Sequence, residues 1–405
     1  MTRCVFSLIG TLLMLMAASP AAPRVKVGAD VLLEKQLDLV RGKRVGLITN
    51  QTGRTASGER LVDALIARGI MVTALFSPEH GIRGISGAGE KVGDSVDART
   101  GLPVYSLYGD TRKPTAAMLR KVDLLLYDIQ DIGVRFYTYL STMTLCMTAA
   151  AEARIPFVVL DRPNPLGGMS IEGPVLPDSL RSDVGCLPIP VVYGLTIGEL
   201  AAMANGEGWL EGRARAALTV VGMEGWTRTM RWDDTELPWI APSPNIRTPD
   251  AARVYPATCY LEATNVSEGR GTNAPFQTIG APFIRSGSLS SAISDAPFTG
   301  VEAVNATFIP ASSKFKGELC RGAFLRITGP APAVSLGLEI LVILNDEYAS
   351  SLSVDRGRLA RLLGDASAYD LILDGRPVGP IVSRWKESLA RFAFIWRRYW
   401  QYAEK

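Results

Sequence analysis

Histidine is almost absent from this chain: a single residue, His80, serves all 405 positions. That excludes a metal centre built on several imidazoles, although a site made of oxygen ligands stays open. Cysteine is scarce too, five in all, and no C-x-x-C spacing occurs, so neither a zinc site nor a dithiol redox site is indicated. Glycine patterns that cradle phosphate are missing. The first apolar strand runs into Asn50-Gln51-Thr52-Gly53, which matches neither G-x-G-x-x-G nor G-x-x-x-x-G-K-[ST]. No G-x-S-x-G turn presents a serine for the lone histidine to activate. Charge of one sign is not in excess, with 43 basic against 40 acidic residues, and no basic run is interleaved with aromatics. Nucleic acid is therefore not expected as a partner, and nothing here asks for a cofactor or a metal.

The N-terminus reads as a targeting segment. Arg3 supplies a positive charge, residues 5–18 are apolar apart from Ser7, Gly10 and Thr11, and Ser19-Pro20-Ala21 offers small residues for cleavage after Ala21 or Ala22. The apolar stretch falls short of the roughly 20 residues of a membrane span. Cys4 precedes it, so a lipid-bearing cysteine at the cleavage point is not indicated. The expectation is a signal peptide over 1–22, an exported protein in the periplasm or outside the cell, and no stable membrane span once the signal is removed. Export permits disulfides among Cys146, Cys186, Cys259 and Cys320, with three complete pairings open. Free, buried thiols are the favoured reading, Cys146 lying in an apolar helical stretch.

From residue 43 to about 222, apolar strand-like runs (44–49, 70–76, 103–108, 122–128, 156–160 and 189–193) alternate with helical patterns (58–69, 115–120, 137–154 and 196–205). Runs that are apolar on both faces predict a parallel sheet covered by helices on both sides. After about Gly225 the character changes to proline-punctuated and polar, glycine-rich segments. Strand-like runs at 304–309 and 323–327 and helical patterns at 336–348, 354–363 and 381–402 follow. The expected fold class is α/β, a Rossmann-like parallel-sheet domain over 23–235 and a smaller α+β domain over 236–405, with the active site in the cleft between them.

Parallel strands deliver their C-terminal ends to one rim, where such folds bind ligands. The second strand ends in Ser77-Pro78-Glu79-His80-Gly81, a turn that exposes a carboxylate beside the imidazole. The other ends deliver Asn50 and Gln51; Tyr108; Asp128, Asp131, Arg135 and Tyr137; and Asp161, Arg162 and Asn164. The glycine-rich segment of the second half adds Glu262, Asn265, Glu268 and Arg270. Amides, carboxylates, guanidiniums and tyrosines together suit a polyhydroxylated, negatively charged ligand. Glycoside hydrolysis uses one carboxylic acid at the leaving oxygen and a second carboxylate as base or nucleophile. Glu79 is the candidate proton donor, and His80 the neighbour that orients it or accepts a proton. Asp128, Asp131, Glu172, Glu262 and Glu268 are candidates for the second carboxylate.

The phrases at 46–53, 77–81, 127–139, 161–168, 172–174, 242–245 and 262–276 resemble, in the same order, those of the exo-β-N-acetylmuramidase family of the NamZ type. The resemblance implies two domains around a cleft and release of N-acetylmuramic acid from non-reducing ends of peptidoglycan fragments, with Glu79 and His80 as the catalytic phrase. The partners would be peptidoglycan-derived muramyl glycans. Arg135, Arg162 and Arg270 are then candidates to grip the lactyl carboxylate, Asn50, Gln51, Asn164 and Asn265 to hold the acetamido group and hydroxyls, and Tyr137 or Phe276 to pack on the sugar face. The competing class is a non-catalytic exported binding protein for muramyl sugars. A peptidoglycan amidase is disfavoured because no zinc set or nucleophile is found.

Overall fold

The computed structural model describes residues 25–405 other than 85, 88, 89, 91 and 92. The expected signal peptide lies outside the described residues. In the first half, β1 (Val45–Thr49), β2 (Val72–Ser77), β3 (Ser95–Val96), β4 (Pro103–Ser106), β5 (Leu124–Asp128), β6 (Phe157–Leu160) and β7 (Leu218–Val221) form a sheet in the order β3-β4-β2-β1-β5-β6-β7. Every pairing is parallel except β3 against β4. Fully buried runs such as Leu124-Leu125-Leu126-Tyr127-Asp128 occupy the centre, as expected of strands covered on both faces. Helices Leu61–Ala67, Tyr139–Ala153 and Ile197–Glu207 connect them.

The chain leaves β1 toward β2 and β4, then returns through β5 on the other flank, so the order reverses between β1 and β5. That reversal is the topological switch point of a Rossmann-like sheet. One expected strand is absent. Residues 189–193 are buried but lie in no strand, because Pro188 and Pro190 remove the donors a ladder needs. Its place at the sheet edge is taken by β7, whose half-exposed residues gave no buried-run signal.

The second half builds a small antiparallel sheet, β8 (Thr278–Ala281), β9 (Val301–Phe308) and β10 (Cys320–Ile327), in the order β8-β10-β9. Helices Pro249–Thr258 and Ser288–Asp295 pack on it, and Ala333–Tyr348 packs on both of these helices. Cys146, Cys186, Cys259 and Cys320 are unpaired. Among the described residues no helix is long and apolar enough to cross a membrane.

Two side chains clasp the halves together. Arg135 is 1% exposed, and its guanidinium donates to the carbonyls of Pro174 and Ile189 on one side and of Leu362 and Leu363 on the other. It satisfies the terminal carbonyls of helix Arg356–Leu363, which have no partner within the helix.

Glu172 accepts from the Val334 amide at the start of helix Ala333–Tyr348. Burial pushes its carboxyl up to about 7, against the opposing pull of the Val334 and Ala333 amides. A carboxyl raised above its unfolded value contributes stability below the unfolded value of 4.5, and that contribution is lost as pH rises through about 7. Glu172→Gln should therefore remove roughly 2–3 kcal/mol of pH dependence. Urea unfolding of parent and variant at pH 5 and pH 8 reads this directly; parallel losses in both would contradict it.

Candidate active site

The rim of the sheet divides into a filled half and an open half. At the switch point the ends of β1, β5 and β6 bind one another. Thr49 donates to the Asp128 carbonyl at 3.0 Å, the Gln130 amide donates to Thr52 Oγ1 at 2.9 Å, and Arg162 Nε reaches Asp128 Oδ1 at 2.7 Å. Arg162 also donates to the Arg54 carbonyl. Asn50 is engaged with Thr52 and Tyr139, Gln51 with the carbonyls of Ala241 and Pro242, and Asn164 with the Leu195 carbonyl and the Leu166 amide. Asp131 accepts from Tyr193 and the Gly133 amide, and burial raises its carboxyl to about 6. These side chains spend most of their hydrogen bonds on one another and on the rim backbone, and Asn50, Gln51, Asp128, Arg162 and Asn164 do not line the cavity on the other half of the rim. Arg135 likewise serves backbone carbonyls, and Asn265 bonds Ser351 and Ser353.

The open half lies over β2, β4 and the loop after β5. There a cavity of about 930 Å³ is bounded by both halves of the chain. Glu79, His80, Tyr108, Tyr137, Glu262, Glu268, Arg270 and Phe276 all line it, so eight of the predicted residues meet in one place.

Glu79 and His80 sit in the turn after β2, closed by the Gly81 amide on the Pro78 carbonyl at 3.1 Å. His80 takes a left-handed φ of 72°, uncommon for a side-chain-bearing residue, and its ring Nδ1 lies 2.7 Å from the Ser86 carbonyl. The Glu79 carboxylate receives the Thr138 hydroxyl at 2.7 Å. Thr138 is the N-cap of the Tyr139–Ala153 helix, whose N-terminus favours negative charge. Tyr108 donates a second hydroxyl. Its own titration is pushed up to about 12, first by burial and then by the charge and hydrogen bond of Glu79. It therefore remains a donor across the physiological range.

Facing this turn, Glu262 and Glu268 are held among cations. Arg270 reaches Glu262 at 2.6 Å and Glu268 at 3.0 Å, Arg358 takes the other Glu262 oxygen at 2.6 Å, and Lys314 takes Glu268 at 3.0 Å. Burial alone would raise the Glu262 carboxyl, but Arg270 and Arg358 outweigh it and hold it below the usual range. A carboxyl held so stays ionised and is poorly suited to give up a proton. Phe136, Tyr255 and Phe276 form an aromatic cluster on the same wall, Tyr255 and Phe276 edge-to-face at 4.5 Å between ring centres. Such a surface suits the apolar face of a sugar ring.

Comparison with known proteins identifies this architecture. The family model described as "Exo-beta-N-acetylmuramidase NamZ, N-terminal" matches residues 45–250, and its C-terminal counterpart matches residues 253–402. The chain belongs to the NamZ family. A NamZ relative named "Peptidoglycan beta-N-acetylmuramidase NamZ", from Bacillus subtilis (strain 168), is 45% identical over 381 residues, covering 93% of this chain and 91% of the relative. Two crystal structures of DUF1343 family proteins from Bacteroides fragilis NCTC 9343 are also similar. One has a TM-score of 0.87 at 36% identity and the other 0.77 at 32%, each covering 95% of this chain and 100% of the other.

Sequence reasoning missed several residues of this NamZ cavity. Arg112, Asp183, Arg247, Lys314 and Arg358 line it without a local phrase that marks them, and Thr138, Ser243 and Asn245 lie inside the phrases at 127–139 and 242–245 without having been singled out. Thr138 had one usable signal, a threonine at the opening of the 137–154 helical pattern, where N-cap residues are found. The Tyr108 hydroxyl gives a direct test of the Glu79 setting. Tyr108→Phe should lower kcat on a muramyl glycan about tenfold, close to one hydrogen bond to a charged group. KM and the melting temperature should move little; an unchanged kcat would show that the hydroxyl does not position Glu79.

Proposed function

We propose that the protein is an exo-acting β-N-acetylmuramidase, releasing N-acetylmuramic acid from the non-reducing ends of peptidoglycan fragments. Glu79 gives its proton to the departing glycosidic oxygen as its bond to C1 breaks, the rest of the glycan leaves as a neutral alcohol, and water adds its oxygen to C1 and returns a proton to a carboxylate of the site. The observation that carries this reading is the placement of Glu79 in the wall of a cavity of about 930 Å³, held by two hydroxyls opposite an aromatic and cationic wall. Cavities that enclose small ligands run roughly 300–1,000 Å³, so a terminal sugar and part of its neighbour fit. The name of the Bacillus subtilis relative supports the same reaction. Export to the periplasm or beyond belongs to the proposal as well, supported by Arg3, the apolar run at 5–18 and the small residues at 19–21.

Time-resolved NMR of a synthetic muramyl-β-1,4-glucosamine disaccharide tests the reaction. Appearance of free N-acetylmuramic acid is the expected result, and the first anomer seen assigns retention or inversion. Stoichiometric binding with the disaccharide recovered intact would instead identify a sugar-binding protein.

A further inference from the structure

Muramic acid differs from glucosamine by a lactyl ether that ends in a carboxylate. A protein that selects it needs a cation whose charge is not already spent. Arg112, Arg247, Arg270, Lys314 and Arg358 line the cavity. Arg112 is paired with Asp183, Arg270 with Glu262 and Glu268, Lys314 with Glu268, and Arg358 with Glu262. Each of these would have to give up a carboxylate in order to take another.

Arg247 differs. Among the described residues its guanidinium bonds only the Pro244 carbonyl, Nε to O at 3.0 Å. The two terminal nitrogens remain as a planar fork of the geometry that holds a carboxylate with two bonds.

The side chain is exposed, but its base is fixed. The preceding loop is fastened by Gln51, which donates to the Ala241 carbonyl at 2.7 Å and the Pro242 carbonyl at 3.1 Å. Tyr139 also donates to the Pro242 carbonyl, and Trp239 Nε1 to the Ile246 carbonyl at 3.3 Å. Ile246, directly before Arg247, is 1% exposed. Tyr139 opens the helix whose N-cap, Thr138, holds Glu79. The loop that carries the fork and the turn that carries the proton donor are therefore tied to the same helix end.

We propose that Arg247 is the anchor of the lactyl carboxylate and sets the preference for muramyl over glucosaminyl ends. The proposal rests on the muramidase reading and adds the residue that makes the site selective. Its test uses N-acetylmuramic acid and the corresponding lactamide, which is neutral but nearly isosteric. Their dissociation constants are measured by calorimetry, and kcat/KM is measured on the nitrophenyl β-glycosides of both sugars.

The parent should prefer the acid in both measurements. In Arg247→Ala that preference should shrink about 100-fold, and Arg247→Lys, a single point charge, should restore part of it. A parent that prefers the acid with a variant that keeps the preference within threefold overturns Arg247 as the anchor. A parent that does not distinguish acid from amide also overturns the inference, while leaving hydrolysis of either glycoside to stand. A parent that neither binds nor cleaves either sugar overturns the muramidase reading itself, and the parent alone reveals it.

Discussion

Glu79→Gln should abolish turnover of a muramyl-glucosamine disaccharide to about one part in 10³, within the range that a positioned proton donor contributes. Glutamine keeps the volume of glutamate and an oxygen that can accept the Thr138 and Tyr108 hydroxyls, so the turn and the melting temperature should persist. What it cannot do is release a proton to the departing oxygen. The leaving group supplies the decisive control. A sugar alkoxide is a poor leaving group and needs protonation, whereas nitrophenolate is stable without it. The loss in the variant should thus be much smaller on the nitrophenyl glycoside than on the disaccharide. Equal losses on both substrates would mean that Glu79 attacks or activates the nucleophile instead. KM should change little on either substrate, because the aromatic cluster and the cationic wall are untouched.

The parallel sheet was legible because burial on both faces writes a continuous apolar run, and five of the six expected first-half runs contain a strand. The sixth, 189–193, is equally apolar, but proline decided its backbone rather than its hydrophobicity. Strands β7 and β8 escaped notice for the opposite reason: one is half exposed, the other only four residues long with a glycine inside. At the rim, Glu79 and His80 stood out because a turn after a buried strand delivers them to the cavity, although the expected exposure is not seen and both are buried, at 9% and 6% exposed. Arg135, Arg162 and Asn164 looked just as exposed, yet they fold back. A rim built from irregular loops carries backbone carbonyls with no ladder to satisfy them, and the nearest long polar side chains are recruited first. Composition cannot distinguish a side chain held back for the fold from one offered to a ligand. Arg358 and Lys314 were illegible for another reason, since each arrives at the cavity from a distant segment with no phrase of its own.

The same division of labour explains the largest expected loss of stability, which lies far from the cavity. Arg228 and Glu199 form an ion pair at 2.6 Å with both side chains 0% exposed. The guanidinium also donates to the carbonyls of Gly168 and Gly194, and it lies over the Trp400 ring at 4.1 Å and the Trp396 ring at 5.5 Å. Glu199 in turn accepts the Thr196 and Gln401 amides, while Tyr402 donates to the buried Asp161. The C-terminal residues thereby strap back across the first sheet, and Arg228 is the pin. Arg228→Met retains most of the volume but strands a buried carboxylate and two carbonyls. Removal of one partner of such a pair costs about 3–5 kcal/mol, and the cation–π contacts add to it. Urea unfolding should register a loss of that size, and limited proteolysis should begin beyond Trp396 in the variant. A double variant, Glu199→Gln with Arg228→Met, should recover only part of the loss, because the amide cannot accept from Thr196 and Gln401 as a carboxylate does. Full recovery would mean that the charge of the pair, rather than its hydrogen bonds to the strap, accounts for the cost.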